Sequence, residues 1–489
     1  MSGKPAHRRR DAFRHFATDL VGRATAEARM LLAGPIVRNA ASLYGSTVAT
    51  SVLGFFYWFV AARMASASAV GVASAIQSSA QFLAIFCVLG LSTMMISELA
   101  VDRTHARSLI LTAAVSAAGF AVVVAVAGGL VLGAYSPTLR EGLSVPVGLS
   151  VFVLLSAFTT TLIILDDSCV GLFRADLQFR RNAVFAVGKL MVLPLMIVLW
   201  PSNAGTELVV AWLVGLVISL VTVGFALAKL TREEPTRLVF GRLIEKRRLM
   251  AGHHSLNISI QSPRLLIPVV VVTVVGAKEN AAYTAAMLVV AFVNIIPQHL
   301  STVLFALSPG DEVSLHREVK KTMRICLILA LLSAPFFVIF GHLILSLFGS
   351  AYVVASGALA ILGLTTYPMA VKAHYVAISR SRGRMQQAAT RSMVGAFLEV
   401  GLAAAGARVH GITGVAVGFL VATILEAFLF APTVFGVLRG EPAVPDGAGV
   451  IGGTEGTTAA PGPPGAAASG ATPGPADPDG TTSPGNDDP

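Results

Sequence analysis

Charge is what this sequence has least of. Only 13% of its 489 residues are Asp, Glu, Lys or Arg, against 55% hydrophobic residues and a mean hydropathy of +0.75. A soluble domain of this length needs far more charge to cover its surface, so that class is excluded. Cysteine is scarce as well. Cys87, Cys169 and Cys326 each lie in or at the edge of an apolar run, without metal-ligand spacing or a partner across an outer loop. Buried thiols are expected there, not a disulfide framework or a zinc site. Enzyme motifs are also missing. Gly188-Lys189 lacks the upstream glycine and the following hydroxyl residue of a phosphate-binding loop, and no His-Glu-x-x-His occurs. No catalytic residue, metal or cofactor is predicted.

What the chain has instead is long apolar runs. A helix needs roughly 20 apolar residues to cross about 30 Å of hydrocarbon. The runs are continuous and not alternating, which predicts helices over barrel strands. Spans are predicted at 40–62, 69–97, 108–133, 147–170, 182–200, 207–229, 255–276, 281–306, 322–348, 354–378, 388–407 and 411–437. With the N-terminus inside, the predicted outer loops hold only Arg63, Arg140, Lys278 and Arg408, and the other basic residues outside the spans fall inside. Shifting one span would scramble that separation. The net charge of +10 is therefore a topology signal, and no nucleic-acid partner is predicted.

The predicted organisation has five parts. Residues 1–38 form a basic cytoplasmic leader, in which Phe13, Phe16, Leu20 and Ala24 recur at helical spacing among arginines. It reads either as an interfacial helix on anionic lipid or as an unstructured basic segment. Residues 39–229 and 255–439 form two six-span lobes joined by a cytoplasmic linker at 230–254. Residues 440–489, rich in Gly, Pro, Ala, Thr and Asp, form a disordered cytoplasmic tail. An internal echo supports the six-plus-six division. Phe59–Ala75 and Val270–Ala286 each run from an apolar span end through a short outer loop to a small-residue span start.

Ionisable residues inside spans are costly and normally face a cavity or a partner. Arg264 is the clearest, near the middle of the seventh span. Asn257, Gln261, Arg264 and Pro268 follow at helical spacing, opposite Leu256, Ile260, Leu265, Ile267 and Val271. Pro263 and Pro268 predict a kink. This stripe reads as the wall of a hydrated, anion-attracting cavity, or as an arginine clasped by Glu399 or Glu426. Lys189 and Lys372 are further cavity candidates, with snorkelling as the bland reading. Asn294 and Gln77 are polar cavity candidates, with neighbouring stripes of Asn39, Ser42, Ser46 and Thr50, of Ser74, Ser78 and Gln81, and of Gln298 and Ser301. Helix-packing glue explains such stripes equally well. Glu399 and Glu426 are candidates for ion coupling or for salt bridges, and Asp166 for ion coupling, with helix-cap and snorkelling roles as its bland reading. A metal at Asp166-Asp167 lacks enough oxygen ligands. His299 and His374 are expected to be hydrogen-bonded core or boundary residues.

Leu89-Gly90-Leu91 through Ile96-Ser97-Glu98-Leu99, the stretch Ser262 to Pro268, Val275-Gly276 with Ala282-Tyr283, and Gly411-Ile412-Thr413-Gly414-Val415-Ala416 carry a resemblance. Over about 35–437, the chain resembles the multidrug/oligosaccharidyl-lipid/polysaccharide exporter superfamily, and within it the polysaccharide transport family of lipid-linked oligosaccharide flippases. The resemblance implies two six-helix lobes around a central cavity open alternately to each side. It also implies a cargo of undecaprenyl-pyrophosphate-linked oligosaccharide, in the cytoplasmic membrane. Implied partners are the lipid-linked glycan, membrane lipids and other polysaccharide-assembly proteins. A cation-coupled multidrug or metabolite exporter of the same superfamily is the first alternative. A membrane glycan polymerase or ligase is the second, and it lacks a sizeable outer loop.

Overall fold

The computed structural model describes residues 35–440, apart from 145, 201–204, 233–235, 246 and 308–311. The leader before residue 35 and the tail after 440 lie outside the described residues, as do the side chains of Asn39, Ser42, Ser46, Gln298, His299 and Ser301.

The described chain is all-α. In order, the helices are α1 (Pro35–Met64), α2 (Ala67–Cys87), α3 (Leu91–Val101), α4 (Ala106–Tyr135), α5 (Pro137–Gly142), α6 (Val147–Gly171), α7 (Ala175–Leu199) and α8 (Thr206–Leu230). After the linker come α9 (Phe240–Glu245), α10 (Arg247–Val274), α11 (Ala277–Leu307) and α12 (Glu312–Ser346). A 3-10 turn (Ser350–Ala355), α13 (Ser356–Leu364), α14 (Thr366–Ser381) and α15 (Met385–Leu438) complete the chain. Eight helices are individually long and apolar enough to cross a membrane, and Ser350–Leu364 with Thr366–Ser381, bent by 44°, make a ninth passage. α15 is two passages, because His410 and Gly411 leave helical geometry and turn the chain back on itself. Counting the 30-residue α1 and the 31-residue α11 as passages as well gives twelve among the described residues.

Local chemistry explains the breaks. Ser66 caps α2 by accepting from the Ala69 amide at 3.2 Å, and Ser136 followed by Pro137 starts α5. Leu89 and Gly90 have positive φ, so the second predicted span splits into α2 and α3. Gly411 turns at φ 55° between the two arms of α15. The arms then pack back to back: a Cβ at Gly406 would lie 2.0 Å from the Gly414 carbonyl oxygen, and one at Gly418 would lie 2.1 Å from that of Leu402. Only glycine permits that approach.

α7 begins seven residues before the span predicted there. Hydropathy excludes its charged first turns, but Arg181 is neutralised by Asp166 on α6, so the helix continues through them. Hydroxyls of Thr112, Ser116, Ser156, Thr160 and Ser168 bond carbonyls one turn back, which satisfies them without a partner helix. Large apolar side chains such as Val123, Leu331, Val338, Ile339, Phe397 and Phe428 are exposed, as lipid-facing surfaces require.

Candidate functional site

At the predicted outer end, α2 and α11 touch backbone to backbone: a Cβ on Gly71 would sit 1.7 Å from the Ala277 carbonyl oxygen. Asn280 donates from Nδ2 to the Gly71 carbonyl at 2.7 Å and to Ser74 Oγ at 3.0 Å, and Ser74 Oγ meets Thr284 Oγ1 at 3.2 Å. Gln77, three residues beyond Ser74 on α2, is buried. The N-terminal and C-terminal halves are in direct contact there.

The α10 stripe lies deeper. Leu256, Leu265, Ile267 and Val271 are buried, while Asn257 and Arg264 are exposed and Gln261 is half-buried between them. Arg264 is accessible yet enclosed by protein, the combination expected of a side chain projecting into an internal space. Its guanidinium donates from Nη2 to Gln261 Oε1 at 3.2 Å, and among the described residues it pairs with no carboxylate. Pro268 departs from the predicted stripe: it is buried, and α10 continues through both prolines. Asn294 on α11 is half-buried, with Oδ1 unpartnered.

The carboxylates offered as a clasp for Arg264 belong to another cation. Lys372 on α14 donates from Nζ to Glu399 Oε1 at 3.0 Å and to Glu426 Oε1 at 3.2 Å, with Glu426 Oε2 at 2.9 Å. All three side chains are buried, so Lys372 does not snorkel. Glu399 and Glu426 come from opposite arms of α15, and their carboxyls lie within hydrogen-bonding reach of each other. Gly395 leaves the space for this, since a Cβ there would fall 1.6 Å from Glu426 Oε1. One ammonium against two carboxylates carries a net negative charge unless a proton is present. Tyr283 on α11, fully buried with its hydroxyl unpartnered, lies within electrostatic reach of Glu399.

Asp166 stands apart from this cluster. It forms a two-pronged ion pair with Arg181 at the predicted inner end of the first half, so the three acidic candidates do not form one site. Arg174 and Asp176 pair close by at 2.8 Å. Lys189 is separate again, buried on α7 among rings: its Nζ lies 3.5 Å from the Trp212 ring centre, 4.5 Å from Phe185 and 5.0 Å from Tyr57. His374 is a core residue, its Nδ1 and Nε2 meeting the Ala370 carbonyl and Thr322 Oγ1 at 2.8 Å each.

Sequence reading missed Gly395, Asn280, Arg181 as the partner of Asp166, and the rings around Lys189. Asn280 sits inside the echoed Val270–Ala286 stretch, where a lone amide at a predicted span start was the available signal. Nothing in sequence spacing marks the rings, which come from three helices.

No protein-family profile matches the sequence, and no curated protein sequence does either. Solved structures do. The chain superposes on "Inward-facing conformation of a multidrug resistance MATE family transporter of the MOP superfamily" with a TM-score of 0.61, 15% identity, and coverage of 80% of this chain and 96% of that one. An outward-facing structure described in the same terms gives 0.55 at 15% identity, covering 84% and 96%. A MOP superfamily transporter from Pyrococcus furiosus Vc1 (DSM3638), described as having a binding pocket of reverse polarity that suggests a different function, also gives 0.55 at 15% identity, covering 82% and 96%. The fold is therefore the all-α membrane fold of these solved transporters. The chain is a multi-pass membrane protein, and its solved structural neighbours are transporters, not enzymes.

Proposed function

We propose that this protein is an alternating-access exporter of the cytoplasmic membrane, coupled to protons and carrying an anionic amphiphile. The observation that carries the reading is the buried Lys372–Glu399–Glu426 cluster. Burying an unbalanced charge is expensive, so the closed cluster favours one protonated carboxyl. Losing that proton leaves a net negative charge in a dry core. Relief comes from parting α14 and α15 so that water enters, which ties proton release to a change of shape. A proton suits the cluster better than a metal ion, because the Lys372 ammonium already occupies the space between the carboxylates. Among the described residues no group of three or more His, Cys, Asp or Glu side chains is arranged to hold a metal.

Arg264 supports an anionic cargo. An accessible guanidinium with no carboxylate partner among the described residues is a ready anchor for carboxylate or phosphate. The same residue keeps a second reading in view, that of a flippase for undecaprenyl-pyrophosphate-linked oligosaccharide, whose pyrophosphate would meet Arg264. The transporter neighbours favour the coupled exporter of drugs or metabolites over this flippase.

Proteoliposomes with an imposed pH difference test the proposal. Wild type should drive uptake or release of a fluorescent anionic amphiphile in proportion to that difference, and Glu426→Gln should make the rate independent of it. Full pH-driven transport in Glu426→Gln would remove the cluster from the mechanism. Movement of lipid-linked glycan alone, without response to pH, would select the flippase.

A further inference from the structure

Lys189 is a buried cation that the proposed transport cycle does not use. It lies 3% exposed on α7, and no described carboxylate pairs with it. Its amine is surrounded by ring faces from three helices: Tyr57 of α1, Phe185 of α7 and Trp212 of α8. Trp58 packs against both Tyr57 and Trp212, at 5.3 and 6.0 Å between ring centres, and closes the group. Gly215 lets α8 approach closely, since a Cβ there would lie 2.8 Å from Lys189 Cβ.

Other charged groups on the packed helices lie toward the helix ends. Arg181, two turns along α7, is held by Asp166 of α6. Asp167 is the neighbour of that pair on α6. Glu207 opens α8, buried with one oxygen unpartnered, and it acts on Tyr57. The Tyr57 hydroxyl donates to the Leu208 carbonyl at 2.6 Å, so its oxygen is turned toward α8 and its ring toward the amine.

Ring faces attract an ammonium but give far less than a carboxylate, and they also tolerate a neutral amine. Where no anion fixes the charge, local hydration decides it. We propose that Lys189 is a second proton-binding site, in the first half of the molecule, whose amine is neutral inside the closed aromatic cage and takes up one proton when water enters. The step is a simple gain of H+ by the amine nitrogen and needs no other reactant. It depends neither on the cargo nor on the carboxylate cluster in the other half.

The cage contains its own reporter. Of the three tryptophans, Trp58 and Trp212 lie in it, and Trp200 is removed by substitution to Phe. Full-length protein in nanodiscs, carrying Trp200→Phe, is titrated while tryptophan emission is followed. The expected result is a single-proton step, absent in Lys189→Met. In Lys189→Arg, which stays charged, emission should remain at the low-pH level throughout. A flat emission in the parent, or a step that survives Lys189→Met, overturns the proposal. A step abolished by Glu207→Gln but not by Lys189→Met would assign the proton to that carboxyl instead, and would also overturn it.

Discussion

Among the described residues each half of this molecule buries one lysine, and the two are treated in opposite ways. Lys372 sits between two glutamates delivered by the arms of one helical hairpin. Lys189 has three rings and no described acid. In the first arrangement the cation is fixed and the carboxylates decide the charge. In the second the amine itself is free to gain or lose it. A buried lysine is thus no single kind of signal, and its neighbours determine which atom holds the mobile proton.

The comparison breaks most visibly at Lys372. Lys372→Met strands two buried carboxylates, and such a loss typically costs about 3–5 kcal/mol. Thermal unfolding in detergent should show it, with recovery on adding Glu399→Gln and Glu426→Gln. Lys189→Met, measured in the same way, should stay within about 1 kcal/mol, because a methionine fills the volume and strands no charge. Equal losses at the two sites would abolish the distinction.

A smaller effect is expected at Gly395→Ala. The added methyl overlaps Glu426 Oε1 and forces the carboxyl from its place, an overpacking worth about 1–3 kcal/mol. Its pH-driven transport should fall along with its melting temperature. Unchanged coupling would mean that the carboxyl need not touch Lys372.

The smallest effect on stability belongs to Arg264→Ala. That side chain is accessible and makes one hydrogen bond, so unfolding should shift by no more than about 0.5 kcal/mol. Binding of an anionic cargo should nevertheless weaken by about tenfold or more, near 1.4 kcal/mol. A stability loss as large as that of Lys372→Met would show Arg264 to be structural.

The spans were legible because each is a local run of apolar residues, and the turn at Gly411 because glycine punctuates that run. The open face of α10 was legible for the same reason, three polar residues at helical spacing. Pro268 misled because spacing alone does not fix how far a neighbouring helix wraps around α10. The pairing of Lys372 was beyond reach, since its partners lie 27 and 54 residues away and meet it only after the hairpin closes. Asp166 was grouped with distant acids because its cation, Arg181, lies across a turn on the next helix.

The meeting of Gly71 with Ala277 has a corollary for how that end of the molecule would be opened. Peptide groups, an amide and two hydroxyls form that junction, and none of them changes its ionisation with the medium. Acid or salt would act at that end through the flanking Lys278 and Glu279, and not through the contact itself.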